Sequence, residues 1–269
     1  MIIAGQPGSV KRFSSEFVKK ILGFSPSVSL AAVPYCPIST TYPYYGKMGD
    51  DVSFFSWLGD MMMRPLLIAT TNLHKLEEFR SLFANLPYQL LSLHDVRLDL
   101  EVEETGTTFR ENAELKALTY ARASGLLSLA DDSGLEIDAM GGAPGVYSAR
   151  FAGANTSYEE RFRIIFDKLQ GVPTEQRTAR FRCVIAIAEP SGYLQCVEGA
   201  LEGRITEEPH GAHGFGYDPI FFVPAYGKTA AELTPEEKNR ISHRGQAARR
   251  AQAVLEHWPA LPSSHSRDV

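Results

Sequence analysis

At Pro65 the chain changes character. Leu66-Leu67-Ile68-Ala69 is an unbroken apolar run that reads as a buried strand. Thr70-Thr71-Asn72-Leu73-His74-Lys75 follows as a polar loop, and Leu76, Phe79, Leu82 and Phe83 then recur on one face at helical spacing. Strand, loop and helix in that order can hold a phosphate, because the backbone N–H groups of a helix start have no partner within the helix. Asn72 can add an amide contact and Lys75 a point charge. The plainer alternative is a capped helix beside a solvated lysine.

A second apolar run, Leu126-Leu127-Ser128-Leu129-Ala130, ends in Asp131-Asp132-Ser133-Gly134. It reads as a strand running into a turn. Carboxylates at a strand's carboxyl end can face a cleft, where their oxygens suit Mg²⁺ and one can take a proton from water. Asp, Ser and Gly also make ordinary Asx turns, so the stretch alone does not decide.

The segments between and beyond these two supply further candidates. A strand is expected over 88–93, then an acidic segment, Glu101-Val102-Glu103-Glu104-Thr105-Gly106, whose plain explanation is a solvated loop. Thr108-Phe109-Arg110-Glu111 fits a capping box that opens a helix to about Ser124, with Lys116 two turns in. Residues 141–151 are too rich in Gly and Pro for regular structure. A capped helix begins at 157–160 and runs to about Leu169. Ala179, Phe181, Cys183, Ile185 and Ile187 alternate as a strand over 178–188, which Pro190-Ser191-Gly192 turns into a partner over 193–198. Gly214-Phe215-Gly216-Tyr217-Asp218 precedes a strand over 220–223, and its glycines can let the loop present an aromatic ring to a flat ligand. Thr234-Pro235-Glu236-Glu237 starts a helix, followed by Lys238 and by Ser242-His243-Arg244, a pairing common on surfaces.

Composition narrows the class. The 269 residues are 44% hydrophobic and 22% charged, enough for a sizeable core. A net charge of −5 argues against a general nucleic-acid binder. Cys36, Cys183 and Cys196 form no CxxC pair, which fits reduced thiols in a cytoplasmic protein. No apolar run reaches 18 residues, so no membrane span is expected. Residues 1–62 hold Pro34, Pro37 and Pro43 and no sustained period. They read as a disordered extension or an artefact of start-site choice, with a targeting peptide only faintly suggested by Lys11, Arg12, Lys19 and Lys20. The expected division is this extension, a catalytic domain over 63–260 and a polar tail over 261–269.

Taken together, seven motifs carry a resemblance. Thr70-Thr71-Asn72-x-x-Lys75, Glu103-Glu104-Thr105-Gly106-x-Thr108-Phe109, Ala130-Asp131-Asp132-Ser133-Gly134 and the Gly141–Arg150 stretch stand in order. The stretches at 214–221, 231–238 and 242–247 follow. The chain resembles the inosine triphosphate pyrophosphatase family over about residues 64–257. One departure is Thr71, where the family usually has glycine; it bears on how closely the backbone can approach phosphates.

The resemblance implies an α/β fold, elongated and two-lobed, with a long central mixed β-sheet and the active site in the cleft between lobes. It also implies a homodimer and Mg²⁺-dependent hydrolysis of ITP, dITP and XTP to the nucleoside monophosphate and pyrophosphate. By the same resemblance Asp132 is general base and metal ligand, sharing the metal with Glu104 or Glu103. The triphosphate falls to Thr70, Thr71, Asn72, Leu73, His74, Lys75, Lys116 and Ser133. The base falls to Phe215, Gly216, Tyr217, Asp218, Lys238, His243 and Arg244. Asp131, pointing the other way from an extended backbone, is expected to matter less to the reaction. A donor such as Arg244 suits a 6-oxo purine and not a 6-amino one, though guanine also carries a 6-oxo group. The rival readings are a Maf-like nucleotide pyrophosphatase, disfavoured by the Ser-His-Arg and Phe-Gly-Tyr-Asp motifs, and a nucleotide sensor without catalysis. Retention of Asp132, Glu104 and Lys75 speaks against the sensor.

Overall fold

The computed structural model describes residues 63–258, together with the backbone of two short antiparallel strands, Ile2–Ala4 and Val10–Arg12, in which Ile3 pairs with Lys11. The remaining expectations for 1–62, and those for 261–269, lie outside the described residues. Everything below concerns the compact unit Arg64–Pro259.

Its strands are β1 (Arg64–Ile68), β2 (Tyr88–Ser92), β3 (Leu127–Ile137), β4 (Thr178–Ala188), β5 (Leu194–Ile205), β6 (Phe221–Val223) and β7 (Lys228–Thr229). They form one seven-stranded sheet in the order β2-β1-β3-β4-β5-β6-β7. β1 runs parallel to β2 and β3, and all later pairings are antiparallel, giving the expected mixed α/β sheet. The helices are α1 (Leu73–Leu82), α2 (Phe109–Ser124), α3 (Tyr158–Lys168), α4 (Pro235–Ile241) and α5 (His243–Glu256). Among the described residues no helix is long and apolar enough to cross a membrane.

The feature that positions the site is β3. The sequence suggests a turn at Asp131-Asp132-Ser133-Gly134, but the strand passes straight through it, pairing Asp131 with Ile185, Asp132 with Val184 and Gly134 with Arg182. Gly134 serves close approach, not a turn: a Cβ there would lie 2.5 Å from the Gly145 carbonyl and from Ser148 Oγ. Because side chains alternate along a strand, neighbours are sent to opposite layers. Leu129 packs with Phe79 of α1 and Ala247 of α5, whereas Ala130 packs with Phe109, Ala113 and Ala117 of α2. Asp131 therefore faces the α1/α5 layer and Asp132 the α2 layer.

Three other expectations change. β5 extends to Ile205, well past Glu198, because Gly199 and Gly203 are packing sites. A Cβ there would meet the His243 and Phe222 carbonyls at 2.3 and 2.4 Å. The Gly/Pro stretch over 141–151 contains a 3₁₀ turn, Gly145–Arg150, where irregular structure was expected, and another, Asp138–Met140, precedes it. The strand expected from Ile220 starts at Phe221, Ile220 closing a 3₁₀ turn, Asp218–Ile220.

Helix starts follow the capping chemistry. Thr108, Ser157 and Thr234 accept from the N–H groups of Glu111, Glu160 and Glu237. At α2 the reciprocal arm is displaced: the Glu111 carboxylate takes Thr107 N–H at 2.7 Å, not that of Thr108. Thr108→Ala should cost about 1 kcal/mol, the usual loss for a cap. Chemical unfolding monitored by far-UV circular dichroism reads this directly, and an unchanged midpoint would show that Glu111 alone holds the start.

Arg64 Nη2 and Trp258 Nε1 both donate to Glu189 Oε1, at 2.9 and 2.8 Å, tying the first strand to the end of the last helix.

Candidate active site

A cavity of about 720 Å³ opens where the β1–α1 loop, α2, the Gly145–Arg150 turn, the 214–218 loop and the start of α5 converge. The sequence-derived residues Thr70, Thr71, Asn72, Lys75, Glu103, Glu104, Lys116, Asp132 and Ser133 line it. Phe215, Gly216, Tyr217, Asp218, Lys238, His243 and Arg244 line it too. Leu73 and His74 do not: Leu73 is 72% exposed, and His74 stacks on Phe215 at 5.2 Å with 12° between the ring planes.

The β1–α1 loop is built by its own side chains. Thr70 Oγ1 accepts from Asn72 N–H, and Asn72 Oδ1 caps α1 by accepting from Lys75 N–H, both at 3.2 Å. The amide of Asn72 is thus a helix cap, as the plainer alternative had it. Thr71 replaces glycine without strain, since Arg97 and Ala152 are the non-glycine residues with positive φ in the described chain. Lys75 is not the solvated lysine of that alternative. Its Nζ meets Asp131 Oδ2 at 2.9 Å.

On the α1/α5 layer Asp131 is 2% exposed and bridges Lys75 and Arg244, the latter at 3.3 Å. Burial pushes its carboxyl up, but the charges of Lys75, Arg244 and Lys116 outweigh burial and hold it well below the usual carboxylate range. The His243-Arg244 pair is not on the surface. Ser242 breaks α4 from α5 and accepts from Gly245 N–H at 3.0 Å, so both residues open a new helix inside the core. Arg244 spends its Nη groups on Glu78 (2.5 Å), Asp131 and Ser133 Oγ (2.8 Å), leaving Nε unpartnered among the described residues. His243 stacks on Phe181 at 4.9 Å, and burial, aided by Arg244 and Lys238, pushes its imidazole well down, so it is neutral at pH 7.

Lys238 joins the 214–218 loop to α1. Its Nζ meets Asp218 Oδ2 at 2.7 Å and Glu78 Oε1 at 3.1 Å, and lies 4.8 Å from the centroid of Phe215. Asp218 also accepts from Phe215 N–H at 2.8 Å, which sets the loop that carries the ring. Burial raises the Asp218 carboxyl despite Lys238. Tyr217 is buried and donates to the Ser148 carbonyl at 2.8 Å; it braces the loop, and Phe215 is the ring presented to the cavity.

On the α2 layer Asp132 is 5% exposed. Its Oδ2 accepts from Asn112 Nδ2 at 3.0 Å, and its Oδ1 lies 3.8 Å from Lys116 Nζ. Burial raises this carboxyl, Lys116 opposes and Glu104 adds to the rise, leaving it above its ordinary value. The two adjacent aspartates are thereby driven apart in acidity, the mark of a charge-holding group beside a proton acceptor. Glu104 pairs with Lys116 and, at 3.2 Å, with Arg150, whereas Glu103 is exposed.

Among the described residues no cluster of three or more His, Cys, Asp or Glu side chains could hold a metal by itself. Mg²⁺, however, ordinarily takes one or two carboxylates and completes its shell with phosphates and water. Glu104 adds to the cost of ionising Asp132 across one cavity, while its own carboxyl, which burial would raise, is held down by Lys116, Lys75 and Arg150. A hard cation shared by the two carboxylates relieves that cost; the donors fit.

Glu78, Asn112, Arg150 and Tyr158 were not singled out from sequence. Glu78 stands one turn after Lys75 and Asn112 one turn before Lys116, so helical spacing from the two lysines could have pointed to them.

The Ham1 family model matches residues 66–254. A dITP/XTP pyrophosphatase of Desulforamulus reducens is 52% identical over 190 residues, covering 71% of this chain and 94% of that protein. One of Bacillus subtilis is 47% identical over 196 residues, covering 73% and 99%. Among solved structures, a HAM1 protein from Coxiella burnetii superposes with TM-score 0.67 at 44% identity, covering 72% of this chain and 99% of that one. The Staphylococcus aureus Ham1 protein gives 0.65 at 41%, covering 72% and 98%. On the family model and on these relatives, with the same mixed sheet, the chain belongs to the Ham1 family.

Proposed function

We propose that this chain is a Mg²⁺-dependent nucleoside triphosphate pyrophosphatase that hydrolyses the deaminated purine nucleotides ITP, dITP and XTP to the monophosphate and pyrophosphate. It acts as a cytoplasmic homodimer that clears them from the nucleotide pool. The observation that carries the reading is one cavity lined by two unlike groups of side chains. Asp132, Glu104, Lys116 and Lys75 form one group, the Phe215 ring with Lys238, His243 and Arg244 the other, and the two groups meet where Lys75 and Arg244 share the Asp131 carboxylate. The relatives named dITP/XTP pyrophosphatase support it.

In the reaction, Asp132 takes the proton of a water whose oxygen bonds to the α-phosphorus. The α–β bridging oxygen then leaves with pyrophosphate. The raised carboxyl of Asp132 suits a proton acceptor better than an ordinary exposed aspartate would. Lys75 and Lys116 supply fixed positive charge for the charge that develops on the departing group. Glu104 and Asp132 would hold Mg²⁺, which when bound neutralises phosphate charge and stabilises the leaving pyrophosphate. At the base end, Lys238 has one N–H beyond those given to Asp218 and Glu78, and Arg244 keeps Nε. Such donors pair with a 6-oxo group and are left unpaired by a 6-amino group. An unpaired buried donor costs about 1–3 kcal/mol, a factor of roughly ten to a hundred against ATP per contact.

Pyrophosphate release with Mg²⁺ and a panel of ITP, dITP, XTP, ATP and GTP tests the reading. Preference for the first three supports it. Equal use of ATP would count against the base-end assignment, and binding without turnover would favour the sensor. Phe215→Ala should raise KM for ITP by roughly five- to a hundredfold, the loss of a base stack worth about 1–3 kcal/mol. A KM within twofold of wild type would remove Phe215 from the base contact.

A further inference from the structure

Tyr120, Phe181, Tyr217 and Tyr158 line the cavity without a role in the proposed reaction, and of these four only Tyr158 is not buried. Tyr158, the first residue of α3, lines the cavity and is 37% exposed. Its ring is nevertheless held in place. Tyr217 meets it edge-on at 5.3 Å and 87°, Phe162 flanks it at 6.2 Å, and the Arg161 guanidinium lies 4.8 Å from its centroid. Arg161 is buried and donates to the carbonyls of Ser148 at 3.5 Å and Gly153 at 3.2 Å, so the cation beneath the ring is itself anchored. The Tyr158 hydroxyl has no hydrogen-bond partner among the described residues. A side chain ordered before the ligand arrives loses little freedom on contact.

Tyr158 stands between the loop that carries Phe215 and the turn that carries Arg150. On one side, a Cβ at Gly216 would lie 3.6 Å from Tyr158 Oη, so the ring borders the loop that presents Phe215. On the other, Arg161 ties it to Ser148 in the same 3₁₀ turn as Arg150, which holds Glu104. A nucleotide with its base at Phe215 and its phosphates near Asp132 has its sugar between them. We propose that Tyr158 is the wall against which that sugar packs, a specificity-determining contact that favours nucleosides over bare polyphosphates. The inference rests on the nucleotide reading given above. An aromatic face suits the C–H surface of a sugar, and a phenol at its edge suits a sugar hydroxyl.

Calorimetric titration of the full chain with IMP and, separately, with inorganic tripolyphosphate tests this in wild type, Tyr158→Phe and Tyr158→Ala. Tyr158→Ala should weaken IMP by roughly three- to tenfold, the range for loss of an aromatic contact, while tripolyphosphate binding stays within twofold. Tyr158→Phe should recover most of the IMP affinity, because the ring remains. Equal weakening of both ligands would mean that the substitution merely loosens the site, and no change in IMP would remove the contact; either overturns the proposal. The titrations need no turnover. A wild type that binds IMP but releases no pyrophosphate therefore counts against the pyrophosphatase reading and not against Tyr158.

Discussion

Asp132→Asn should abolish most turnover while leaving the fold intact. The substitution keeps the shape of the side chain and can still pair with Asn112. On the proposed reading it removes the proton acceptor and a carboxylate from the metal-binding pair together. Loss of a general base typically costs about 10²–10⁴ in rate, and the metal contribution pushes the result toward the upper end. Stability should hold or rise, because Asp132 is a group whose charge burial resists. In the wild type, kcat/KM should fall as pH drops through a value above the ordinary aspartate range, since the base works only when deprotonated. The measurement is pyrophosphate released from ITP at saturating Mg²⁺, with melting temperature as the folding control. A folded variant that keeps more than roughly a tenth of wild-type turnover would falsify the role, since that loss falls below the range for such a group.

Asp131→Asn should do the opposite, one residue earlier. From sequence this residue looked like the milder position for the reaction, and in the structure its carboxylate faces the opposite layer from Asp132. In the structure it is the anion between two buried cations, Lys75 and Arg244. Removing one member of a buried ion cluster strands the others and costs about 3–5 kcal/mol. For a unit of this size that is a fall of roughly 6–20 °C in Tm. Its carboxyl lies lower in the folded protein than the ~3.9 of an unfolded chain, so this stabilisation is complete above about pH 4 and drains away as pH falls below it. The variant should therefore lose most stability at pH 7 and show a shallower acid dependence than wild type. Thermal melts at pH 7 and pH 3.5 read both effects. A Tm at pH 7 within about 2 °C of wild type would show that water or rearranged partners replace the carboxylate.

The contrast between these two residues shows what the sequence makes legible. Elements defined by local chemistry are readable: Thr108, Ser157 and Thr234 announce their helices, and the alternation over 178–188 gives β4 its full length. Elements defined by a neighbour are not. Asp131-Asp132-Ser133-Gly134 has the composition of a turn, and only β4 alongside makes it a strand. Gly199 and Gly203 look like breaks in β5 until α5 and β6 are seen to need the space. The site divides in the same way. Asp132, Lys75 and Lys116 could be picked out by residue type and motif, and the cavity gathers them. The burial of His243 and Arg244 and the bridging role of Glu78 depend on α1 meeting α4 and α5 across 160 or more residues of chain, contacts no local pattern encodes.

The ion pairs around the cavity have a further consequence. Lys75, Lys116, Arg150, Lys238 and Arg244 each already hold a carboxylate, drawn from Glu78, Glu104, Asp131, Asp132 and Asp218. With Glu101 and Glu103, which also line the cavity, seven carboxylates stand against five cations, so the cavity is not a trap for anions in general. A polyphosphate that arrives alone must break existing pairs and leave carboxylates facing it. One that arrives with a divalent cation can instead exchange partners, phosphate for carboxylate on the lysines and metal for lysine on the carboxylates. On the proposed function, binding would be a swap of counterions within a fixed total, one that favours the metal–nucleotide complex over either component.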